Sequence, residues 1–203
     1  MEKTHPWVKA EREFYKKMYG NLVKGLNLSK GISVLDYGAG TGGFASFLAE
    51  DNPQIKVIAV DSDSEAIKLG EQHYKHLSNL EFIISETIPK GNYDLIFKNL
   101  VLHELNGKGD KKIIASFLKD AYNSLNKGGL ISVLDNRKVS KKDFKPIYEQ
   151  NQSPKKGIFE EEYEEHNRYT MKDWKNMLEK SGFYTKKHAK LFPNLFNYRG
   201  EKN

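Results

Sequence analysis

At 203 residues the chain has the length of one compact domain, and its 38% hydrophobic and 12% aromatic residues exclude disorder as the main state. No run approaches the roughly 18 unbroken apolar residues of a membrane helix, and the start from Met1 to Pro6 lacks a secretory apolar stretch, so a cytoplasmic protein without a membrane partner is expected. The net charge is +6, yet only four of the 33 basic residues are arginine (Arg12, Arg137, Arg168, Arg199), which disfavours nucleic acid and leaves small anions as attractive partners.

In chain order, Phe14, Tyr15, Met18, Tyr19, Leu22, Val23 and Leu26 recur at helical spacing and predict a leading amphipathic helix over about 6–27. Ile32 to Leu35 is a short β-favouring run that meets a glycine-rich turn, and Phe44, Phe47 and Leu48 start a helix directly after it. A second strand, Ile55 to Val60, ends at Asp61, where Ser62-Asp63-Ser64-Glu65 has the form of a capping box. Leu80 to Ile84, Tyr93 to Phe97 and Leu130 to Leu134 read as buried strands, with a helix marked by Ile113, Ile114, Phe117, Leu118, Ala121 and Leu125 before the last.

Residues 137–168 break the alternation; their charges separate into a basic half (Lys141, Lys142, Lys145, Lys155, Lys156) and an acidic half (Glu160, Glu161, Glu162, Glu164, Glu165), the composition of an inserted lid. Thr170-Met171-Lys172-Asp173 is a second capping box, Trp174, Met177 and Leu178 form an apolar face, and Gly182 is a C-terminal stop. Phe183 to Leu191 and Leu195 to Tyr198, on either side of Phe192-Pro193-Asn194, predict a closing antiparallel hairpin. Strands alternating with helices imply an α/β fold: one domain over 1–203 with a Rossmann-like, seven-stranded, mostly parallel sheet, helices on both faces and the hairpin at its end.

The informative segment is Val34-Leu35-Asp36-Tyr37-Gly38-Ala39-Gly40-Thr41-Gly42-Gly43. Gly38, Gly40 and Gly43 satisfy the dinucleotide spacing G-x-G-x-x-G, but Gly38, Gly40 and Gly42 also satisfy G-x-G-x-G. Asp36, two residues before the first glycine, would repel a pyrophosphate and suits a ligand with an ammonium group, which points to an amino acid conjugate.

Val-Leu-Asp-x-Gly-x-Gly-x-Gly resembles the first motif of the class I S-adenosylmethionine-dependent methyltransferases. Val57 to Asp61 resembles their second strand, Tyr93 to Leu105 the fourth-strand motif, Leu125 to Leu130 the turn into the fifth strand, and Trp174 to Phe183 the last helix, so the likeness spans most of residues 30–192 in family order. The resemblance implies S-adenosyl-L-methionine as cofactor. It would set the Gly38, Ala39, Gly40 and Gly42 backbone around the methionine part, with Asp36 near its amino group, Asp61 on the ribose hydroxyls and Ser62 along the adenine. Ser85 and Glu86 would lie near the adenine amine, and Lys98 and Asn99 would border the methionine and the acceptor through their backbone.

Lys98-Asn99-Leu100-Val101 departs from the [Asp/Asn]-Pro-Pro-Tyr pattern with which related enzymes hold a nucleobase or glutamine amine, so a small-molecule acceptor, methylated at oxygen, is expected. His103, followed by Glu104, stands where small-molecule O-methyltransferases carry a catalytic histidine and is the candidate base. The acceptor pocket would draw on variable parts, with Tyr15, Tyr19, Tyr148, Phe159, Tyr163 and Phe192 as candidate walls. No cysteine is present and the other histidines form no ligand pattern, so no metal is expected. An RNA methyltransferase, a catalytically silent methyltransferase-like subunit and a nicotinamide-dependent oxidoreductase are the alternatives.

Overall fold

The computed structural model describes residues 5–99, 110–150, 159–166, 169–190 and 195–203. Seven strands form one sheet in the order β3-β2-β1-β4-β5-β7-β6: β1 (Ser33–Tyr37), β2 (Lys56–Asp61), β3 (Leu80–Ile84), β4 (Tyr93–Asn99), β5 (Leu125–Asn136), β6 (Tyr184–Lys190) and β7 (Leu195–Glu201). The first five pair in parallel, and β7 runs antiparallel between β5 and β6, as the predicted hairpin requires. Its turn, Phe192-Pro193-Asn194, lies outside the described residues.

The buried runs of β1, β2 and β4 face two cores because successive side chains alternate across the sheet. Val34, Val57, Ala59, Leu95 and Phe97 pack under helices α1 (Pro6–Lys16), α2 (Tyr19–Val23) and α3 (Gly43–Asp51). Leu35, Ile58, Val60, Ile96, Ile131 and Val133 pack under α5 (Lys111–Ser124) and α8 (Met171–Lys180). Helix α4 (Ser64–Tyr74) crosses between β2 and β3, with Asp63 as its cap accepting from the N–H groups of Glu65 and Ala66. Thr170 and Asp173 form the reciprocal capping box of α8, and Gly182 follows with φ +98°.

One expectation needs correction. The leading helix is two helices, because the chain departs from helix at Lys17 and Met18 and then buries Met18 and Leu22 together with Tyr15 in the core beside Phe44. The 137–168 segment holds two helices, α6 (Lys141–Gln150) and α7 (Phe159–His166), which pair through Phe144, Tyr148, Phe159 and Tyr163, whose rings lie 5.2–6.2 Å apart. Lys141 also forms an ion pair with Glu160, which joins the basic half of the segment to the acidic half.

Candidate functional site

The sheet reverses direction of growth between β1 and β4, the place where open α/β sheets bind ligands at their strand ends. The glycine turn leaves β1 there. Gly38, Gly40 and Gly42 have φ of +77°, +57° and +79°, a region that side chains with a Cβ rarely adopt. The N–H groups of Gly38 and Ala39 both donate to the Val60 carbonyl, at 2.7 and 2.9 Å, so the turn is bolted to β2. A Cβ on Gly42 would stand 2.6 Å from the Phe82 ring, and one on Gly70 of α4 would stand 2.4 Å from the Thr41 carbonyl.

Asp61 ends β2 beside this turn. Its Oδ2 accepts from the Gly40 N–H at 2.8 Å and its Oδ1 from the Asp63 N–H at 3.0 Å. Each carboxylate oxygen has two lone pairs, so one acceptor position on each oxygen is left for a second donor, the pattern that a vicinal diol needs.

On the α5 side of the sheet a cavity of about 520 Å³ opens at the strand ends, within the roughly 300–1,000 Å³ of ligand pockets. Gly38, Asp61, Ser62, Ser85, Glu86 and Lys98, all singled out from the sequence, line it. Among the other lining residues, Tyr37, Ile113, Ser116, Phe117 and Asp120 were not anticipated there. The Tyr37 and Phe117 rings stack at 5.1 Å, and the Tyr37 hydroxyl donates to the Glu86 carbonyl at 2.6 Å, so this tyrosine ties the end of β1 to the loop after β3. Burial pushes the Tyr37 hydroxyl above its ordinary pKa, with the Asp61 charge adding to it. Lys98 is 1% exposed, and its ammonium lies 4.5 Å from the Tyr37 ring centre. Ser85 folds its own loop, its Oγ donating to the Thr87 carbonyl at 2.8 Å.

On the opposite side of the turn lies a second group of residues. Asp36, also 1% exposed, stands beside Asn99, whose Nδ2 approaches Asp36 Oδ1 at 3.5 Å. Asn99 Oδ1 is buried and has no hydrogen-bond partner among the described residues. Glu11, from α1, places its carboxylate in the turn: Oε2 accepts from the Thr41 N–H and hydroxyl, both at 2.9 Å, and Oε1 from the Gly43 N–H at 2.8 Å. Burial raises the pKa of Glu11, against the lowering effect of those donors. Burial, reinforced by the Glu11 charge and opposed by Lys98, pushes Asp36 up to about 8.

Glu11 escapes a reading of motifs because its partners lie 30 residues away. A signal existed nonetheless: Val8, Glu11 and Tyr15 share one helix face, and Val8 and Tyr15 are buried. Of the aromatic residues expected to wall an acceptor pocket, Tyr15 and Tyr19 pack on Phe44 instead, and Tyr148, Phe159 and Tyr163 bind α6 to α7. Phe192, His103 and Glu104 lie outside the described residues.

A family profile described as a methyltransferase domain matches residues 28–182. Among curated proteins, the chain is 26% identical over 113 residues to trans-aconitate 2-methyltransferase of Azoarcus sp. (strain BH72), covering 56% of this chain and 42% of that protein. It is 30% identical over 119 residues to ribosomal RNA small subunit methyltransferase C of Pseudoalteromonas translucida, covering 57% of this chain and 34% of the relative. The chain therefore spans less than half the length of these relatives. Among solved structures, a SAM-dependent methyltransferase from Aquifex aeolicus superposes with a TM-score of 0.68 at 20% identity, covering 96% of this chain and 97% of the other, a likeness of fold.

Proposed function

Since the chain belongs to the class I S-adenosylmethionine-dependent methyltransferases, with S-adenosylmethionine as the cofactor, we propose that it transfers the cofactor's methyl group to an oxygen of a small anionic or aromatic acceptor. The residues present fit the cofactor. Asn99 Oδ1, without a hydrogen-bond partner among the described residues, and the buried Asp36 supply acceptors for an ammonium group, and the remaining lone pairs of Asp61 supply acceptors for the ribose diol. The turn at Gly38 and Gly40 leaves no side chain between its backbone and a ligand. The bound cofactor supplies an electrophilic methyl on a sulfonium whose positive charge is lost in transfer.

The chain's own task is then alignment and exclusion of water, since an in-line displacement gains most from a well-oriented acceptor lone pair. Asp61, Ser62, Ser85 and Glu86 would hold the nucleoside end, and Lys98 would offer its charge to the acceptor. The single observation that carries the acceptor class is the Lys98 ammonium lining a cavity walled by Tyr37 and Phe117, a setting in which a buried cation favours an anion and the stacked rings favour a planar group. The name of the Azoarcus relative, which acts on an organic tri-acid, agrees with an anionic acceptor. For a hydroxyl acceptor, His103 would take the proton. Transfer of radiolabelled methyl to panels of carboxylic acids, phenols, amines and ribosomal RNA tests this reading. Label entering acids or phenols supports it, and label entering RNA alone overturns it.

A further inference from the structure

Three carboxylates converge on the glycine turn from three elements: Glu11 on α1, Asp36 on β1 and Asp61 on β2. Asp61 accepts from the backbone N–H groups of Gly40 and Asp63, and Glu11 from those of Thr41 and Gly43. Asp36 receives far less, a long contact from Asn99 at 3.5 Å and the Ala45 N–H. The groups acting on Asp36 are Glu11 and Tyr15 from α1, Asp61 from β2, and Lys98 and Asn99 from β4. Arg12, next to Glu11 in the chain, bonds to Ser46 and Glu50, at 2.7 and 2.6 Å, and fastens α1 to α3. A buried carboxyl facing two anions and one lysine keeps its proton until another cation arrives.

We propose that Glu11 is a positioning residue whose charge, acting through Asp36, makes cofactor binding a proton-releasing step. It rests on the cofactor reading above. With Glu11 in the turn, Asp36 meets the cofactor as an acid. Beside the ammonium and sulfonium charges Asp36 would give its proton to solvent water, the electron pair of the O–H bond staying on its carboxylate. Affinity for S-adenosylmethionine should therefore rise about tenfold per pH unit below a plateau near the free-state pKa of about 8 and level off above it. S-adenosylhomocysteine keeps the ammonium and lacks the sulfonium charge, so it should displace fewer protons. The proton returned to Asp36 after methyl transfer would then weaken the hold on the product.

The test is calorimetric titration of the full chain with S-adenosylmethionine and with S-adenosylhomocysteine, in buffers of different ionisation enthalpy between about pH 6 and pH 9, for the parent, Glu11→Gln and Arg12→Ala. The parent should release close to one proton per cofactor at pH 7 and fewer per product. Glu11→Gln, which removes the charge and retains an acceptor for Gly43, should release fewer protons and reach its affinity plateau at lower pH. Arg12→Ala loosens α1 without altering the acids, so it should shift affinity alone and leave the pH profile in place. Equal proton release by parent and Glu11→Gln, or by cofactor and product, overturns the inference while leaving the cofactor reading intact. A parent that binds no S-adenosylmethionine overturns both.

Discussion

The backbone N–H of Gly40 donates to Oδ2 of Asp61 at 2.8 Å, so the residue expected to hold the ribose is also the brace that fixes the glycine turn to the end of β2. Asp61→Ala removes both functions. Loss of hydrogen bonds to a charged group is worth roughly 1.5–3 kcal/mol, a roughly 10- to 150-fold weakening of S-adenosylmethionine binding. Titration calorimetry reads this directly. Unchanged affinity would remove Asp61 from the site.

The raised pKa of Asp36 has a consequence for stability that is opposite in sign to the usual carboxylate. The folded protein keeps this proton up to about pH 8, whereas the unfolded chain gives it up near 3.8. The stabilisation is complete below the unfolded value and is lost as pH rises through the folded value, with a slope of at most about 1.4 kcal/mol per pH unit. Glu11, also raised, acts in the same direction. The urea midpoint of the cofactor-free protein should fall between about pH 5 and pH 8, and Asp36→Asn should flatten that fall. Identical profiles for the two proteins would show that Asp36 does not carry the proton.

Much of the fold was legible in the chain because the five parallel strands carry short apolar runs, and because two helices announce their starts, α8 at the Thr170 capping box as read and α4 one residue after the Ser62 box position, at Asp63. The site was legible where it depends on a local pattern, as at Gly38, Gly40 and Asp61. It was not where tertiary contact decides. Tyr37 reads as the end of a strand, and only the fold stacks it on Phe117 from a helix about 80 positions later. Glu11 reads as one acid among several in a charged helix, and its burial follows from the docking of α1 on the turn. Residues 137–168 show no strong apolar period because the aromatic residues of α6 and α7 meet one another away from the two main cores.

That separation gives the lid proposal its physical content. The α6–α7 pair is held by its own aromatic cluster and by the Tyr163 hydroxyl on the Val139 carbonyl at 3.0 Å, and small satellite clusters open at lower free energy than a central sheet. Amide exchange in α6 and α7 should be faster than in β1 and β4 without ligand, and should slow when cofactor and acceptor are both present. Protection equal to that of the central strands in the unliganded protein would contradict a lid.

For a hydroxyl acceptor, replacing His103 by alanine should lower turnover by roughly 10²–10⁴ and leave cofactor affinity nearly unchanged, because a general base acts in the transition state. Lost cofactor binding would recast His103 as structural. Unaltered turnover would leave alignment of the acceptor as the whole of the catalysis.

The most direct test of a sulfonium cofactor at the glycine turn is parallel calorimetric titration of the full chain with S-adenosylmethionine, S-adenosylhomocysteine and NAD. Glu11, Asp36 and Asp61 together make the turn a place that favours a cation over a pyrophosphate, so saturable one-to-one binding of the first two and none of NAD is the expected result. Binding of NAD, with no heat from either sulfur compound, would contradict it.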